Sequence, residues 1–190
     1  MQTMTETPKP LWRKLVIEHR ITISVAFAIA LLVFVRPNLA SLLWSIPFIL
    51  VGEALRLWAS GHIHKSKHVT QTGPYAICRH PLYLGHLLIT IGFLIAANNV
   101  LLAIAGVLVF WLIFDTTMAN EENYLTGLFG SEYDEYKEKV PQLLPRWNKD
   151  ALTGGHDWSL VKQHREINNI WGIITALLFF AAIGFWRGSL

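Results

Sequence analysis

From His80 to Phe114 the chain carries no Asp, Glu, Lys or Arg side chain. That run is too long for one bilayer-crossing helix, which needs about 20 residues. Asn98-Asn99 near its middle supplies turn chemistry. The spacing therefore predicts a helical hairpin, Leu82 to Ala97 and Val100 to Met118. In hydrocarbon every backbone polar group must be satisfied within the protein, which restricts such a chain to helices or a closed barrel. The other apolar runs extend the pattern. Ile21 to Val35 stops at Arg36-Pro37, and Leu15 to Ile17 can lengthen it while Arg20 snorkels. Leu39 to Ser60 is a second span, with Pro47 as a kink, and Ile167 to Trp186 is the last. A cleaved signal peptide competes for the first run, because Asn38-Leu39-Ala40 is a weak small-residue site; the long polar leader argues against it.

The expected fold is an all-α polytopic membrane bundle of about five transmembrane helices, a single membrane domain over 1–190. Composition agrees: 53% of residues are hydrophobic and 15% charged, against roughly 45–50% and about 25% in soluble domains. Of sixteen Lys and Arg, only Arg36 and Arg187 fall on the side that five spans would place outside. The positive-inside rule then puts the N-terminus in the cytosol, at a bacterial or archaeal inner membrane or the endoplasmic reticulum. The net charge of +3 is too mild to argue for nucleic acid. A lone Cys78 excludes an internal disulfide and a multi-cysteine metal centre.

Two polar segments share the cytosolic side. In the second, Leu125, Leu128, Phe129, Tyr133, Tyr136 and Val140 recur at helical spacing, which predicts an amphipathic helix or pair broken near Gly130. Three groups of residues there and nearby could carry chemistry. Arg79-His80 precede Pro81, which suits a first helical turn, so they sit at a helix N-terminus suited to anions. Tyr83 lies one turn on, and Gly85 permits close approach of a backbone or ligand. Glu121-Glu122 stand at the end of the hairpin; being adjacent, they should play different roles. Glu53 and Arg56, spaced i, i+3 inside the second span, can pair on one face. Each group also has a plain structural reading, as interfacial anchor, helix cap or ion pair. His62, His64 and His68 lack a spacing that completes a known zinc pattern, and no metal is expected.

Together these stretches resemble the superfamily of isoprenylcysteine carboxyl methyltransferases and phospholipid methyltransferases. Gly52-Glu53-Ala54-Leu55-Arg56 through Gly61-His62, Gly73-Pro74-Tyr75 with Arg79-His80-Pro81-Leu82-Tyr83-Leu84-Gly85, Glu121-Glu122 with Phe129-Gly130, Tyr133 and Tyr136, and Val140-Pro141 with Leu144-Pro145-Arg146 carry the likeness, over roughly 51–147. It implies S-adenosylmethionine as methyl donor and a lipidated or lipid-like acceptor arriving from the bilayer. Carried over by position, Arg79, His80, Tyr83 and Gly85 line the donor site, Glu121 and Glu122 close it, and Tyr75 and His86 are further candidates. Arg56 or Arg79 would position a carboxylate acceptor; Glu53 or Glu122 would take a proton from an amine. Carboxyl methylation of an isoprenylcysteine-like acceptor is favoured over phospholipid amine methylation. A membrane scaffold, a haem-binding protein and a nicotinamide-dependent membrane reductase are the other readings weighed.

Overall fold

The computed structural model describes residues 11–63 and 68–189. Among them every regular element is helical. The main helices are α1 (Leu11–Phe34), α2 (Leu39–Ser60), α3 (Pro81–Ala97), α4 (Val100–Phe129), α5 (Ser131–Lys139), α6 (Trp158–Gln163) and α7 (Glu166–Trp186), with short 3-10 turns at Gly73–Ala76 and Lys149–Leu152. Four of these, α1, α2, α4 and α7, are long and apolar enough to cross a membrane, and α3 is a shorter apolar helix. This is the expected polytopic bundle.

The helix ends follow from local chemistry. Asn38 and Ser41 close a reciprocal capping box at the start of α2, with Ser41 N donating to Asn38 Oδ1 at 2.8 Å and Asn38 N donating to Ser41 Oγ at 3.0 Å. Asn98 ends α3 in the left-handed region and Asn99 caps α4, so the expected turn is one residue pair wide. The turns at 35–38 and 98–99 and the end of α7 gather at one end of the bundle. There Arg36 N bonds Ala97 O, Asn99 Nδ2 bonds Phe34 O, and Ser189 Oγ bonds Pro37 O. The polar segments occupy the opposite end.

One boundary differs from the sequence expectation. The helix expected to stop at Met118 runs on to Phe129, and only Gly130, at φ 57, breaks it. No proline stands between Met118 and Phe129, and the helix passes through Gly127, so the amphipathic segment begins as the overhang of α4. At 1.5 Å per residue α4 is about 45 Å long, against a hydrocarbon core of about 30 Å. The overhang turns back through α5, burying Tyr133, Tyr136 and Val140 against Leu125, Phe129 and Val69.

The most extensive helix pairing is α2 with α3, and it depends on glycine. A Cβ on Gly52 would stand 2.6 Å from Gly85 O, and one on Gly85 would stand 2.7 Å from Gly52 O. Gly92 repeats the approach further along, against Ile49 and the Ser45 carbonyl. Lipid gives helices little hydrophobic reason to associate, so small residues that permit backbone contact decide the pairing. Gly52→Ala should therefore lower stability by about 1–3 kcal/mol through overpacking, because the obstructing atom is backbone. Gly172, with open space around it, should accept alanine with no loss. Thermal unfolding of the two variants in one detergent checks the contrast.

Candidate active site

The first turn of α3 and the overhang of α4 meet at the polar end of the bundle. His80 is the N-cap of α3 and Pro81 its first helical residue. The segment ahead of it is pinned by backbone bonds to a distant loop: Arg79 N to Pro141 O at 2.9 Å, His80 N to Gln142 O at 3.1 Å, and Arg146 N to Ile77 O at 2.9 Å. The Val140-Pro141 and Leu144-Pro145-Arg146 stretch thus acts as a strap holding Arg79 and His80 in place.

The two adjacent acids take different positions. Glu122 accepts from His80 Nε2 at 2.9 Å and from Gln142 Nε2 at 3.2 Å, with Arg79 Nη2 at 3.3 Å. Glu121, more exposed, accepts from the Tyr83 hydroxyl at 2.8 Å and lies 3.9 Å from His80 Nδ1. The His80 ring is therefore bracketed by both carboxylates. Glu122 holds the cations from behind while Glu121 faces open space.

Two cavities adjoin this cluster and share Ile63, Tyr75, Arg79, His80 and Glu121 as their common wall. The outer, of about 240 Å³, is completed by Thr70, Tyr124, Phe129, Tyr133 and Tyr136 under the α4–α5 turn. The inner, of about 360 Å³, extends to Arg56, Tyr83, His86, Phe114 and Glu166. Inside the outer wall, Thr70 Oγ1, Tyr75 Oη and Arg79 Nε are buried with no hydrogen-bond partner among the described residues. Such orphaned polar atoms are costly unless a ligand or water meets them. Burial also pushes the Tyr75 hydroxyl well above its ordinary range, so it stays a donor. Tyr136 supports it by donating to the Tyr75 carbonyl at 2.7 Å.

A third, apolar cavity of about 330 Å³ lies among α1, α3, α4 and α7. It is lined by residues such as Phe27, Leu31, Phe93, Val109 and Phe180 and shares His86 and Phe114 with the inner cavity. His86 stacks near Phe110 and Phe114, with ring centroids at 6.1 and 5.1 Å.

The structure thus sorts the residues that the sequence singled out. Tyr75, Arg79, His80 and Glu121 line both polar cavities; Tyr83 and His86 face the inner one; Glu122 sits behind His80. Gly85 packs against α2, beside Gly52 and the Arg56 side chain. Arg56 reaches the inner cavity, with Glu53 3.9 Å away and Glu166 far closer, at 2.8 Å. His64 lies outside the described residues, His62 bonds Trp58 O at 2.9 Å, and His68 lines the outer cavity. Among the described residues no three His, Cys, Asp or Glu side chains converge as a metal site would require. Thr70, Gln142, Glu166 and Asn169 are members of the site that sequence reasoning missed. Glu166 alone offered a signal, as an isolated acid opening the last apolar span.

Fold and site together define an integral membrane bundle with a charged, partly buried chamber at one end and an apolar groove beside it, the two sharing His86 and Phe114. Comparison with known proteins supplies the family. A family described as phospholipid methyltransferase matches residues 48–132. Protein-S-isoprenylcysteine O-methyltransferase B of Arabidopsis thaliana is 34% identical over 139 residues, covering 65% of this chain and 70% of the relative. Protein-S-isoprenylcysteine O-methyltransferase of Schizosaccharomyces pombe is 34% identical over 110 residues, 52% of this chain and 47% of the relative. Nickel-cobalt-cadmium resistance protein NccN of Alcaligenes xylosoxydans xylosoxydans is 33% identical over 93 residues, 48% and 43%. The chain belongs to the isoprenylcysteine carboxyl methyltransferase and phospholipid methyltransferase superfamily. It spans less than half the length of the last two relatives. No solved structure matches it.

Cys78, next to Arg79, is fully buried, and burial pushes its thiol up to about 12. At pH 8 the thiolate fraction is then on the order of one in ten thousand, and the thiolate is the reactive form. A maleimide should leave the folded protein unlabelled at pH 8 and label it fully after denaturation; mass spectrometry reads both states.

Proposed function

We propose that the chain is an S-adenosylmethionine-dependent membrane methyltransferase whose acceptor is lipidated or lipid-like, with the carboxyl group of an isoprenylcysteine-like molecule favoured. The observation that carries the reading is the shared wall. Arg79, His80 and Glu121 stand between a cavity with unmet polar atoms and a chamber that shares His86 and Phe114 with an apolar groove. The names of the relatives support the methyl acceptor.

The outer cavity suits the donor. Its tyrosines and Phe129 offer faces for a flat base, Thr70, Tyr75 and Arg79 offer unmet polar atoms, and Glu121 offers a carboxylate to a cationic or hydroxylated ligand. Bound there, S-adenosylmethionine supplies an electrophilic methyl group on a sulfonium. The acceptor tail would lie in the groove beside Phe93 and Phe110, with its head in the inner chamber. When the acceptor oxygen forms its bond to the methyl carbon, the carbon–sulfur bond breaks and its electron pair stays on sulfur. No protein nucleophile is needed. An ionised carboxylate needs no base either, so the residues must align and desolvate; alignment of this kind is worth roughly 7–11 kcal/mol. Arg56 and Arg79 are the groups able to hold a carboxylate, and Tyr83 and His80 keep Glu121 aimed at the shared wall. The positive-inside pattern supports a cytosolic position for this end of the bundle.

Methylation of a phospholipid amine is the second reading. It is favoured by two acids, Glu53 and Glu166, meeting at the single guanidinium of Arg56. Lipid extracts incubated with methyl-labelled donor separate the two by the fraction that becomes labelled.

Calorimetric titration of the purified protein in detergent with S-adenosylmethionine tests the donor assignment. Binding should weaken tenfold or more, about 1.4 kcal/mol, in Glu121→Ala and His80→Ala. No heat from the native protein, or a haem absorption band in its place, overturns the proposal. A second test replaces Arg56 by Lys, which removes the planar fork that grips carboxylates. Transfer to an S-farnesyl-cysteine carboxylate should fall about tenfold or more, chiefly through KM, with donor affinity unchanged.

A further inference from the structure

Arg56 meets two carboxylates and holds them unequally. Glu53, one turn back on α2, lies 3.9 Å from Arg56 Nε and also accepts a 2.6 Å bond from Asn169 Nδ2. Glu166, the first residue of α7, accepts from Arg56 Nη2 at 2.8 Å. That is its one side-chain hydrogen bond among the described residues. Each acid thus has one side-chain hydrogen bond, but Glu53 spends its own on Asn169 of α7 and only Glu166 spends its on Arg56.

Both acids are buried, but of the two only Glu166 lines the inner chamber, beside Arg56 itself. The grip on it is incomplete. A guanidinium can hold a carboxylate through two parallel bonds, yet Arg56 Nε has no hydrogen-bond partner among the described residues. The approach of Glu166 is set by its neighbour Arg165, which takes the left-handed conformation at φ 58, ψ 30, costly for a residue other than glycine. A carboxylate held by one bond, on a half-used fork, at a strained helix start, is an exchangeable one.

We propose that Glu166 is a specificity-determining residue, an internal carboxylate that occupies the Arg56 guanidinium until the carboxylate of the acceptor replaces it. The inference rests on the carboxyl-methylation reading above. It gives α7 a role in the site: the helix brings a competitor that only an anionic head group can displace. Acceptors with a neutral head lack the charge to exchange with Glu166 and are left outside the fork. Glu121 and Arg79 also face the chamber, but they are engaged with Tyr83 and with Glu122 respectively.

The test compares binding of an S-farnesyl-cysteine carboxylate and of its carboxamide to the full chain in detergent, by titration calorimetry. In Glu166→Gln the carboxylate should bind about tenfold tighter, the scale of one charge-assisted hydrogen bond released. The carboxamide and S-adenosylmethionine should bind as they do to the native protein. Glu166→Asp, which keeps the charge but withdraws it from Arg56, should fall between. If carboxylate and carboxamide weaken together, Glu166 is a strut for α7 and the proposal is overturned; equal carboxylate affinity in all three proteins overturns it too. These readings need no turnover. Absence of methyl transfer by the native protein would instead count against the carboxyl-methylation reading, and the two failures are told apart.

Discussion

The contact between Gly52 and Gly85 sets the rest of the molecule. Because neither residue has a side chain, α2 and α3 run with their backbones touching, and Arg56 lies one turn from that point on α2. It is thereby delivered against the first turns of α3, which carry Tyr83 and His86. Any larger residue at either position would move Arg56 away from the chamber. A packing requirement of the lipid phase, where small residues replace the hydrophobic effect as the reason for association, thus also fixes the geometry of a polar site.

The second constraint is charge. Arg79, His80, Glu121 and Glu122 lie at the start of one helix and on the overhang of another, all within a few ångströms. Removing ions from water costs several kcal/mol each unless partners compensate, and here each is compensated: Glu122 by Arg79, His80 and Gln142, and Glu121 by Tyr83. The strap at Pro141 and Gln142 adds backbone bonds that stop the cluster from relaxing. Preorganised in this way, Glu121 presents a fixed carboxylate to the shared wall while Glu122 stays behind His80, an arrangement suited to the cationic donor proposed above. The unmet atoms of Thr70, Tyr75 and Arg79 leave the wall with hydrogen-bonding capacity for a polar guest.

Much of this was legible from local rules. The charge-free run from His80 to Phe114, the Asn98-Asn99 turn and the proline after His80 each act over a few residues, and the hairpin they imply is observed, with its second helix running past Met118 to Phe129. The differing roles of Glu121 and Glu122 followed from adjacency on a helix. What the chain did not disclose is non-local. The continuation of α4 past Met118 carries the helix through Gly127 and stops only at the positive-φ Gly130, a difference between two glycines that periodicity alone does not weigh. The Gln142 contact with Glu122 and the Asn169 contact with Glu53 join residues far apart in sequence, with no spacing rule to connect them. Gly85 could serve a backbone or a ligand by the sequence; the structure shows the backbone.

Glu166 illustrates why such residues escape notice and why they matter. In sequence it is a first-turn acid on an apolar helix, and favourable interaction with the helix dipole would explain it fully. In the fold its carboxylate is buried on Arg56, although α2 already provides Glu53 for that charge. A bundle needing only neutrality at Arg56 would have stopped at Glu53 and Asn169. Adding a second carboxylate sets two acids against one guanidinium, a cost that packing gives no reason to incur. The surplus makes sense if the guanidinium is meant to be reached by an anion from outside the chain, with Glu166 as the group it must outcompete. The helix that carries Glu166 also lines the apolar groove through Ala176 and Phe180, so one element touches both the groove and the Arg56 chamber.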